Sequence, residues 1–534
     1  MSAGAALLLG LLAIELPLFA AAISKRPRAA RTARLLLFLV PLAVAFALRA
    51  ARAFSTHGVI EWDETYYASL AAAGAAGYGL FPYIYGFAPM PIMGGVGYAA
   101  YSYVLAIEAF GPTIFALRGV SLAVSVAGVA GIWLLVKIWY GSGAAWIGAA
   151  VTASLQLFVL SNTARMDAWT FASVAWALVV WATALARWPS RRWHFAAGLV
   201  FGLGLQTHID TMATAAACGC VYLLRYAADA RAARRVWIGP HPMVLYAAGL
   251  LAGGLVYVGA NILPDTAAYY TMTVRVRVDA TSWYSAGTSS LAGSFLNPQI
   301  LLAKEAARYR QLMAIMPPAE IALFAAGLIA LVARRNDADR TVLTLVPAVL
   351  VTAAVLLNNA SPLYYIHVLP VLTVPLGPLF THGLRARSRV ALQEIGSAAL
   401  FCSVLVCCVL TASAGARTIR SIRATPPLEG DPATIERARS LIDRRCIVAA
   451  DGALYVPYFS AYPRFISLRS VEVTHGMFFY QMDDEAAYWR IKQPDAVFET
   501  GALRPALADY VAARGFTKAA PGLWMNPAGC GGTR

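Results

Sequence analysis

Three carboxylates lie within four residues in the stretch "EWDETYYASL", as Glu61, Asp63 and Glu64, between long apolar segments. Acids beside membrane-length apolar segments are costly unless they face water or have a function. A carboxylate can remove the proton of an acceptor hydroxyl, so this group is a candidate general base. The acids also precede a helix-like run, where they could simply favour the helix dipole. Both interpretations are open from this stretch alone.

A second acid and several cations occur in other polar stretches. Asp167 stands in "ARMDAW", Arg275 and Arg277 stand in "TVRVRVDAT", and Lys304, Arg308 and Arg310 stand in "KEAARYR". Arginine and lysine can hold a phosphate and neutralise it as it leaves. Acids and cations together at a membrane boundary indicate a substrate that is a lipid phosphate.

The composition indicates a polytopic membrane protein. The chain has 534 residues, of which 59% are hydrophobic and 13% charged, whereas soluble domains carry about 25% charged residues. The net charge of +16 first suggests nucleic acid. The basic residues, however, form short clusters between apolar segments, as in cytoplasmic loops, so we expect no nucleic-acid partner.

The apolar segments predict about 12 membrane spans, since a helix needs about 20 apolar residues to cross a bilayer. The predicted spans are 3–23, 35–53, 120–138, 144–161, 168–186, 194–209, 211–225, 242–262, 318–333, 341–358, 363–381 and 390–414. With these spans, every basic cluster between them falls on one side, which the positive-inside rule assigns to the cytoplasm. The first span lacks a preceding basic residue and is expected to be an anchor with its N-terminus outside.

This topology predicts three parts in a multi-pass protein of the cytoplasmic (inner) membrane. Residues 1–34 form an additional N-terminal anchor and basic loop, 35–414 the catalytic membrane domain, and 415–534 an extracytoplasmic domain. The external loops 54–117 and 263–317 place the candidate site on the extracytoplasmic face. Residues 92–110 would invert every later loop if they crossed the membrane, so we expect an interfacial helix there, with Tyr98, Tyr101 and Tyr103 at headgroup level.

The tail after residue 414 is expected to be a small α/β domain, in a chain that is otherwise mainly α. "RCIVAADGALYVPYF", "PRFISL", "PDAVFET" and "FTKAAPGLWMNP" are typical of short strands, and "DPATIERARSLID" and "RPALADYVAARG" of helices. "QMDDEAAYW" is either a helix start or a metal site. Cys446 and Cys530 could form a disulfide in an oxidising compartment, whereas the other five cysteines fall in apolar spans and are expected to be inert.

The order of these features resembles the membrane-embedded glycosyltransferases of the GT-C class, in the branch that holds lipid A aminoarabinose transferase and the protein O-mannosyltransferases. The similar stretches, over roughly residues 35–380, are "EWDETYYASL", "FALRGVSLAVSVAGVAGIWLLVKIWYG", "NTARMDAWTFASVAWAL", "GLGLQTHIDTMATAA" and "SPLYYIHVLPVL". They resemble, in order, the family's Asp-Glu motif, the Arg-led span after it, its second acidic turn, the segment that usually carries Lys-Gly, and its late Tyr-rich turn.

The resemblance implies transfer of a sugar from a polyprenyl phosphate on the outer face, with inversion at the anomeric centre. It implies that Asp63 is the general base, that Glu64 orients the acceptor or binds the sugar, and that Asp167 is the second acid. It also implies contacts to the donor phosphate or sugar by Arg165, His208, Arg275, Arg277, Tyr365 and His367, with Tyr66 and Tyr67 lining the substrate site. His208 stands where relatives often have Lys; as a residue at a helix end, it could equally be a polar cap. Arg118 is expected to be an interfacial anchor.

This chain departs from the family in two respects, and both limit what the resemblance implies about the acceptor. Aminoarabinose transferases carry Glu-Lys-Pro in the first loop, where this chain has "GFAPMPI". The protein O-mannosyltransferases usually carry a large barrel domain between later spans, and no insertion of that size is present. The acceptor is therefore left open as a lipid, a glycan or a protein.

Asp63, Glu64 and Asp167 could together offer oxygens to a divalent cation, but the resemblance implies no obligatory metal or other cofactor.

The resulting prediction is a polyprenyl-phosphate-sugar-dependent glycosyltransferase that transfers a hexose or a pentose. Its partners would be the lipid-linked donor, an extracytoplasmic acceptor and membrane lipid. The first alternative is a transporter or flippase of a lipid-linked sugar, but this chain shows neither the inverted repeats nor the mid-membrane ionisable groups typical of transporters. The second is an assembly or sensor protein, which would leave the acids of two separate loops without a purpose.

Overall fold

The structure is a computed structural model. It describes residues 3–22, 27–55, 64, 67, 71, 74–75, 97–111, 113–155, 164–188, 190–233, 241–263, 266, 297–334, 336–357, 362–379, 389–424, 436–437, 440–443, 445–450, 464–468, 485–499 and 502–529.

Within these residues the chain is mainly helical, as predicted. The α-helices before the tail are Ala3–Ala22, Pro27–Ala53, Gly97–Phe110, Ile114–Tyr140, Ser142–Ser154, Asp167–Ala186, Arg191–Gly204, Thr211–Ala233, Pro242–Tyr257, Pro298–Ile315, Pro318–Arg334, Asp337–Leu356, Leu369–Thr373, Leu376–Leu379 and Arg389–Ala424. A π-helix, Val258–Ile262, extends one of them, and Pro362–His367 is a 3-10 helix.

Seven helices among the described residues are long and apolar enough to cross a membrane. A further pair, Leu301–Ile315 and Pro318–Ala333, passes the same criterion jointly but is bent by 114° at the break. The chain therefore has the helices of a multi-pass membrane protein, whereas the count of twelve stays a prediction. The predicted span 363–381 is not one continuous helix, because a 3-10 helix and two short helices occupy its described part.

The helices Arg191–Gly204 and Pro242–Tyr257 pack with their backbones in close contact. Gly198 of Arg191–Gly204 faces Pro242–Tyr257 so closely that an added Cβ would lie 1.9 Å from the Tyr246 carbonyl oxygen. On the opposite helix, a Cβ at Gly249 would lie 2.0 Å from the Phe195 carbonyl oxygen. Small residues at four-residue spacing allow this approach in membranes. The pairing fixes the end of Arg191–Gly204, after which His208 follows.

The helix Gly97–Phe110 lies within the stretch expected to be interfacial. Its 14 residues span only about 21 Å, which is too short to cross a bilayer. Tyr98 and Tyr101 are exposed, but Tyr103 is completely buried. The expectation that Tyr103 lies at headgroup level is therefore wrong, because its ring points into the protein.

The described residues of the tail form a five-stranded sheet with strands β1 (Ile447–Ala450), β2 (Arg464–Ser467), β3 (Ala496–Phe498), β4 (Thr517–Ala520) and β5 (Leu523–Met525). The order is β2-β1-β3-β5-β4, with β1 parallel to β2 and β3, and β5 antiparallel to β3 and β4. The helices Glu485–Lys492 and Pro505–Ala513 accompany it. All five strands fall inside the stretches predicted as strands.

Glu485 decides how "QMDDEAAYW" is interpreted for the part that the structure describes. It begins the helix Glu485–Lys492, accepts a hydrogen bond from Trp489 Nε1 (3.1 Å) and pairs with Arg504 (2.7 Å). Its carboxylate thus stabilises a helix start, as the sequence allowed. Asp483 and Asp484 lie outside the described residues.

Cys446, beside β1, is disulfide-bonded, and the other five described cysteines are free thiols. The predicted partner, Cys530, lies outside the described residues, so the pairing stays a prediction. The last long helix continues to Ala424, ten residues beyond the predicted domain boundary. The membrane side of the sheet and the three-part division of the chain also stay predictions.

The buried apolar residues form two clusters. One fills the helical bundle, and the second contains Tyr67, Tyr103 and Met166 together with sheet residues such as Val448 and Phe498. The sheet therefore lies on the end of the bundle that carries the first loop and the turn before Asp167.

Candidate active site

Glu64 and Arg118 form a closed ion pair in the protein interior. Thr113 caps the helix Ile114–Tyr140, which places Arg118 in its second turn. Arg118 donates from Nε and Nη2 to the two carboxylate oxygens of Glu64, both at 2.8 Å, and the two side chains are buried. The backbone N–H of Ala164 also donates to Glu64 Oε1 at 2.8 Å. The expectation of an interfacial anchor at Arg118 is therefore wrong, because its charge faces an acid of the first loop.

Two buried tyrosines hold the turn that precedes Asp167. The Tyr67 hydroxyl donates to Met166 Sδ at 2.9 Å, and the Tyr103 hydroxyl donates to the Arg165 carbonyl oxygen at 2.7 Å. The Tyr103 hydroxyl also lies 2.8 Å from Ser121 Oγ, and the two tyrosine rings meet edge to face. The turn is therefore held by side chains from two other segments, and Ser121 of a third segment bonds to Tyr103.

The phenol of Tyr103 is affected by the acids of both loops. Burial raises the pKa of its phenol, the bond with Ser121 opposes this shift, and the carboxylates of Asp167 and Glu64 raise the pKa further. The Tyr103 hydroxyl bonds to the carbonyl of Arg165, two residues before Asp167, and Glu64 accepts the N–H of Ala164 in the same turn. Glu64 and Tyr103 therefore both bond to the turn that precedes Asp167.

Asp167 is the first residue of the helix Asp167–Ala186, where a negative charge is favoured by the helix dipole. Its Oδ2 lies 2.7 Å from Arg165 Nε, and its Oδ1 lies 3.5 Å from His367 Nε2. All three side chains are buried. Arg165, predicted to contact a donor phosphate, is paired with Asp167 here, so the arginine and the acid form one unit.

Asp210 continues this series of charges and is the residue that the sequence analysis did not select. Its Oδ2 lies 3.4 Å from His367 Nδ1 and 3.2 Å from His208 Nδ1, and the three side chains are buried. The signal in the sequence was an acid two residues after His208, in "THID" on a predicted external turn. His208 Nδ1 also accepts the backbone N–H of Asp210 at 3.2 Å, so His208 stabilises its own turn as well as joining the cluster.

The pKa shifts of Asp210 and His367 reflect this contact. Burial alone would raise the pKa of Asp210, but the imidazoles of His208 and His367 hold it well below its usual range. Burial alone would lower the pKa of His367, but its contacts with the carboxylates of Asp167 and Asp210 raise it to about 8. The cluster thus favours a charged imidazole between two charged carboxylates.

Lys304 and Arg308 cap the C-terminal end of the helix Asp337–Leu356 rather than lining an open phosphate site. Lys304 Nζ donates to the carbonyl oxygens of Ala354 and Leu357, and Arg308 Nη2 donates to Leu357 at 2.7 Å. These are carbonyls of a helix C-terminus, where cations are favoured. The expectation that these two cations bind phosphate is therefore replaced by a capping role.

The structure describes some of the remaining predicted site residues and not others. Tyr365 is buried beneath the Arg308 guanidinium, 5.6 Å from its ring centroid, and faces Tyr309. Tyr67 is buried against the turn, so its role in lining the substrate site stays a prediction. Asp63, Tyr66, Arg275 and Arg277 lie outside the described residues.

The family model of dolichyl-phosphate-mannose-protein mannosyltransferase matches residues 98–257. This range contains Arg118, Arg165, Asp167, His208 and Asp210. Comparison of the sequence with curated proteins finds no match.

Two solved structures resemble most of the chain. The first is the aminoarabinose transferase ArnT from Cupriavidus metallidurans bound to undecaprenyl phosphate, with a TM-score of 0.56 and 14% identity over 93% of this chain and 99% of that one. The second is the Archaeoglobus fulgidus oligosaccharyltransferase in complex with zinc and sulfate, with a TM-score of 0.50 and 12% identity over 86% and 67%. The chain has the GT-C fold. This agrees with the resemblance noted in its sequence motifs.

Proposed function

We propose that the protein transfers a sugar from a polyprenyl-phosphate donor to an extracytoplasmic acceptor by an inverting single displacement. The observation that carries the proposal is the junction of Glu64, Ala164 and Asp167. An acid of the first loop bonds directly to the turn that presents the second acid, and each acid has its own arginine. The GT-C fold and the mannosyltransferase match give the same reaction class.

The residues take distinct roles in this mechanism. Asp63 removes the proton of the acceptor hydroxyl, and the oxygen attacks the anomeric carbon as the bond to the phosphate breaks. Glu64 is held by Arg118 and fixes the position of the first loop. Asp167 and Arg165 face the reacting groups, and the departing phosphate is stabilised by cations of the site, for which Arg275 and Arg277 remain candidates.

The proposed orientation places this site and the sheet on the extracytoplasmic face of the inner membrane. The basic clusters of the sequence support it through the positive-inside rule. The second apolar cluster, which contains site tyrosines together with sheet residues, supports a common side for the site and the sheet.

Purified protein supplied with a radiolabelled polyprenyl-phosphate sugar and a membrane extract as acceptor source tests the proposal. The expected result is release of free polyprenyl phosphate with label on a new product, and loss of both in Asp63→Asn. A transporter would instead move the labelled lipid across vesicle membranes unchanged. Intact donor after incubation with folded protein and extract would contradict the transferase, and full transfer by Asp63→Asn would contradict the assigned base.

A further inference from the structure

His208, Asp210 and His367 form a compact set of metal-ligand side chains next to Asp167. One ring nitrogen of each histidine and one carboxylate oxygen of Asp210 all lie within 4.8 Å of one another. The three side chains are buried. Two come from the turn after the helix Arg191–Gly204 and the third from the 3-10 helix Pro362–His367, so the fold brings them together from distant positions.

The separation of two ligand atoms fits the ligand shell of a small cation. Asp210 Oδ2 lies 3.4 Å from His367 Nδ1, and one ring nitrogen of His208 lies within 4.8 Å of the ligand atoms of both residues. A tetrahedral zinc ion with bonds of about 2.0–2.1 Å separates its ligand atoms by about 3.3–3.4 Å. The Asp210–His367 pair is therefore already spaced as one edge of such a tetrahedron.

The surroundings of His367 supply the outer partner that metal-bound histidines usually have. With Nδ1 directed at Asp210, its Nε2 lies 3.5 Å from Asp167 Oδ1, and Asp167 is held by Arg165 at 2.7 Å. A ligating histidine generally donates its other N–H to a carboxylate, which fixes the tautomer and the ring orientation. Asp167 is placed to accept that bond.

We propose that His208, Asp210 and His367 bind one divalent transition-metal ion of the zinc type. Two imidazoles and one carboxylate suit zinc or cobalt, whereas magnesium and calcium require mainly oxygen ligands. The three ligands among the described residues would leave a fourth tetrahedral position to be filled by water or a further ligand. The proposal concerns residues other than the acids of the first loop, and it holds or fails independently of sugar transfer.

Cobalt titration of the full-length protein tests the site. The protein is purified in detergent, freed of its affinity tag, stripped with a chelator and titrated with Co²⁺ while the visible absorption is recorded. We expect one Co²⁺ per chain with the intense absorption of a four-coordinate site, displaced by Zn²⁺. His208→Gln, Asp210→Asn and His367→Gln should each weaken binding by more than the roughly 10–100-fold cost expected for the outer partner in Asp167→Asn.

His241→Asn is the matched control, because His241 is a buried histidine that caps the helix Pro242–Tyr257 outside the cluster. Asparagine is also a good N-cap, so this variant should fold and bind Co²⁺ as the parent protein does. The three ligand variants are read independently, so one that fails to fold leaves two others. Absence of four-coordinate Co²⁺ in the parent protein, or equal binding by the folded ligand variants, would overturn the proposal. The cluster would then be an imidazolium held between two carboxylates.

Discussion

The Glu64–Arg118 pair and the cluster around His367 differ in how closely their charged atoms approach one another. Glu64 and Arg118 share two hydrogen bonds of 2.8 Å, and a backbone N–H bonds the same carboxylate. The contacts of His367 with Asp167 and Asp210 are longer, at 3.5 and 3.4 Å. A bidentate pair at full contact is well suited to fix two segments of the fold, whereas a looser cluster of histidines and acids can exchange protons or accept a ligand. The first group is therefore assigned to architecture and the second to chemistry.

The largest expected effect is on catalysis and comes from the looser group. Asp167→Asn keeps the size of the side chain but removes its charge, and the transfer rate should fall by about 10²–10⁴-fold. The rate with a radiolabelled donor measures this effect, and size-exclusion chromatography verifies folding. Asp337→Asn is the control, since Asp337 is an exposed acid also in the first turn of a helix. Equal rates in the two variants would remove Asp167 from the mechanism.

The Glu64–Arg118 pair should affect the stability of the fold more than catalysis. Glu64→Gln or Arg118→Met leaves one buried charge without its partner, which costs about 3–5 kcal/mol. Denaturant unfolding in detergent measures this loss. The double variant should lose less than the sum of the single losses because it leaves neither charge behind. Strictly additive losses would contradict the pair as a unit, and unchanged stability would contradict its architectural role.

A smaller stability loss is expected at the capped helix end. Lys304→Met removes the donor to the Ala354 and Leu357 carbonyls, and the free energy of unfolding should fall by about 1–3 kcal/mol. Lys304→Arg, which keeps a cationic donor, should lose less. If Lys304→Met retained full stability and lost only donor binding, the capping role would be wrong and the phosphate role predicted from the sequence would return.

The smallest expected effect is the loss of the single hydroxyl of Tyr67 at the turn before Asp167. Tyr67→Phe removes the hydroxyl that donates to Met166 and should cost about 0.5–1.5 kcal/mol. Tyr67→Ala also removes the ring that packs on Tyr103, so it should cost about 3–5 kcal/mol. Thermal unfolding of both variants separates the hydrogen bond from the packing. A larger loss in Tyr67→Phe than in Tyr67→Ala would contradict the packing role.

Local patterns predicted most of the fold. The apolar segments predicted the helices to within a few residues in cases such as Ala3–Ala22 and Pro242–Tyr257, because burial in lipid requires continuous apolar character. The same pattern overestimated the continuity of 363–381, where Pro362–His367 is 3-10. Apolar composition alone does not distinguish a straight span from a broken one.

Individual site residues were predictable where their type signalled chemistry. Glu64, Asp167, Arg165, His208 and His367 were all selected, and the described parts of the chain bring Asp167, Arg165 and His367 into contact. Which side chains contact one another was harder to predict. Arg118 was assigned to the interface because arginines near helix ends often anchor there, and only its contact with Glu64, 54 residues away, shows its role.

The sequence by itself determined the class of molecule. Its hydropathy, its basic clusters and its short acidic motifs specify an integral membrane protein with a polar site between loops, because these properties depend on residues near one another in the chain. Tertiary structure alone decided which charges pair, which cations cap a helix and that Asp210 joins the site. Those outcomes depend on how helices distant in the sequence pack, and in a buried site each charge must find its partner there because water is excluded.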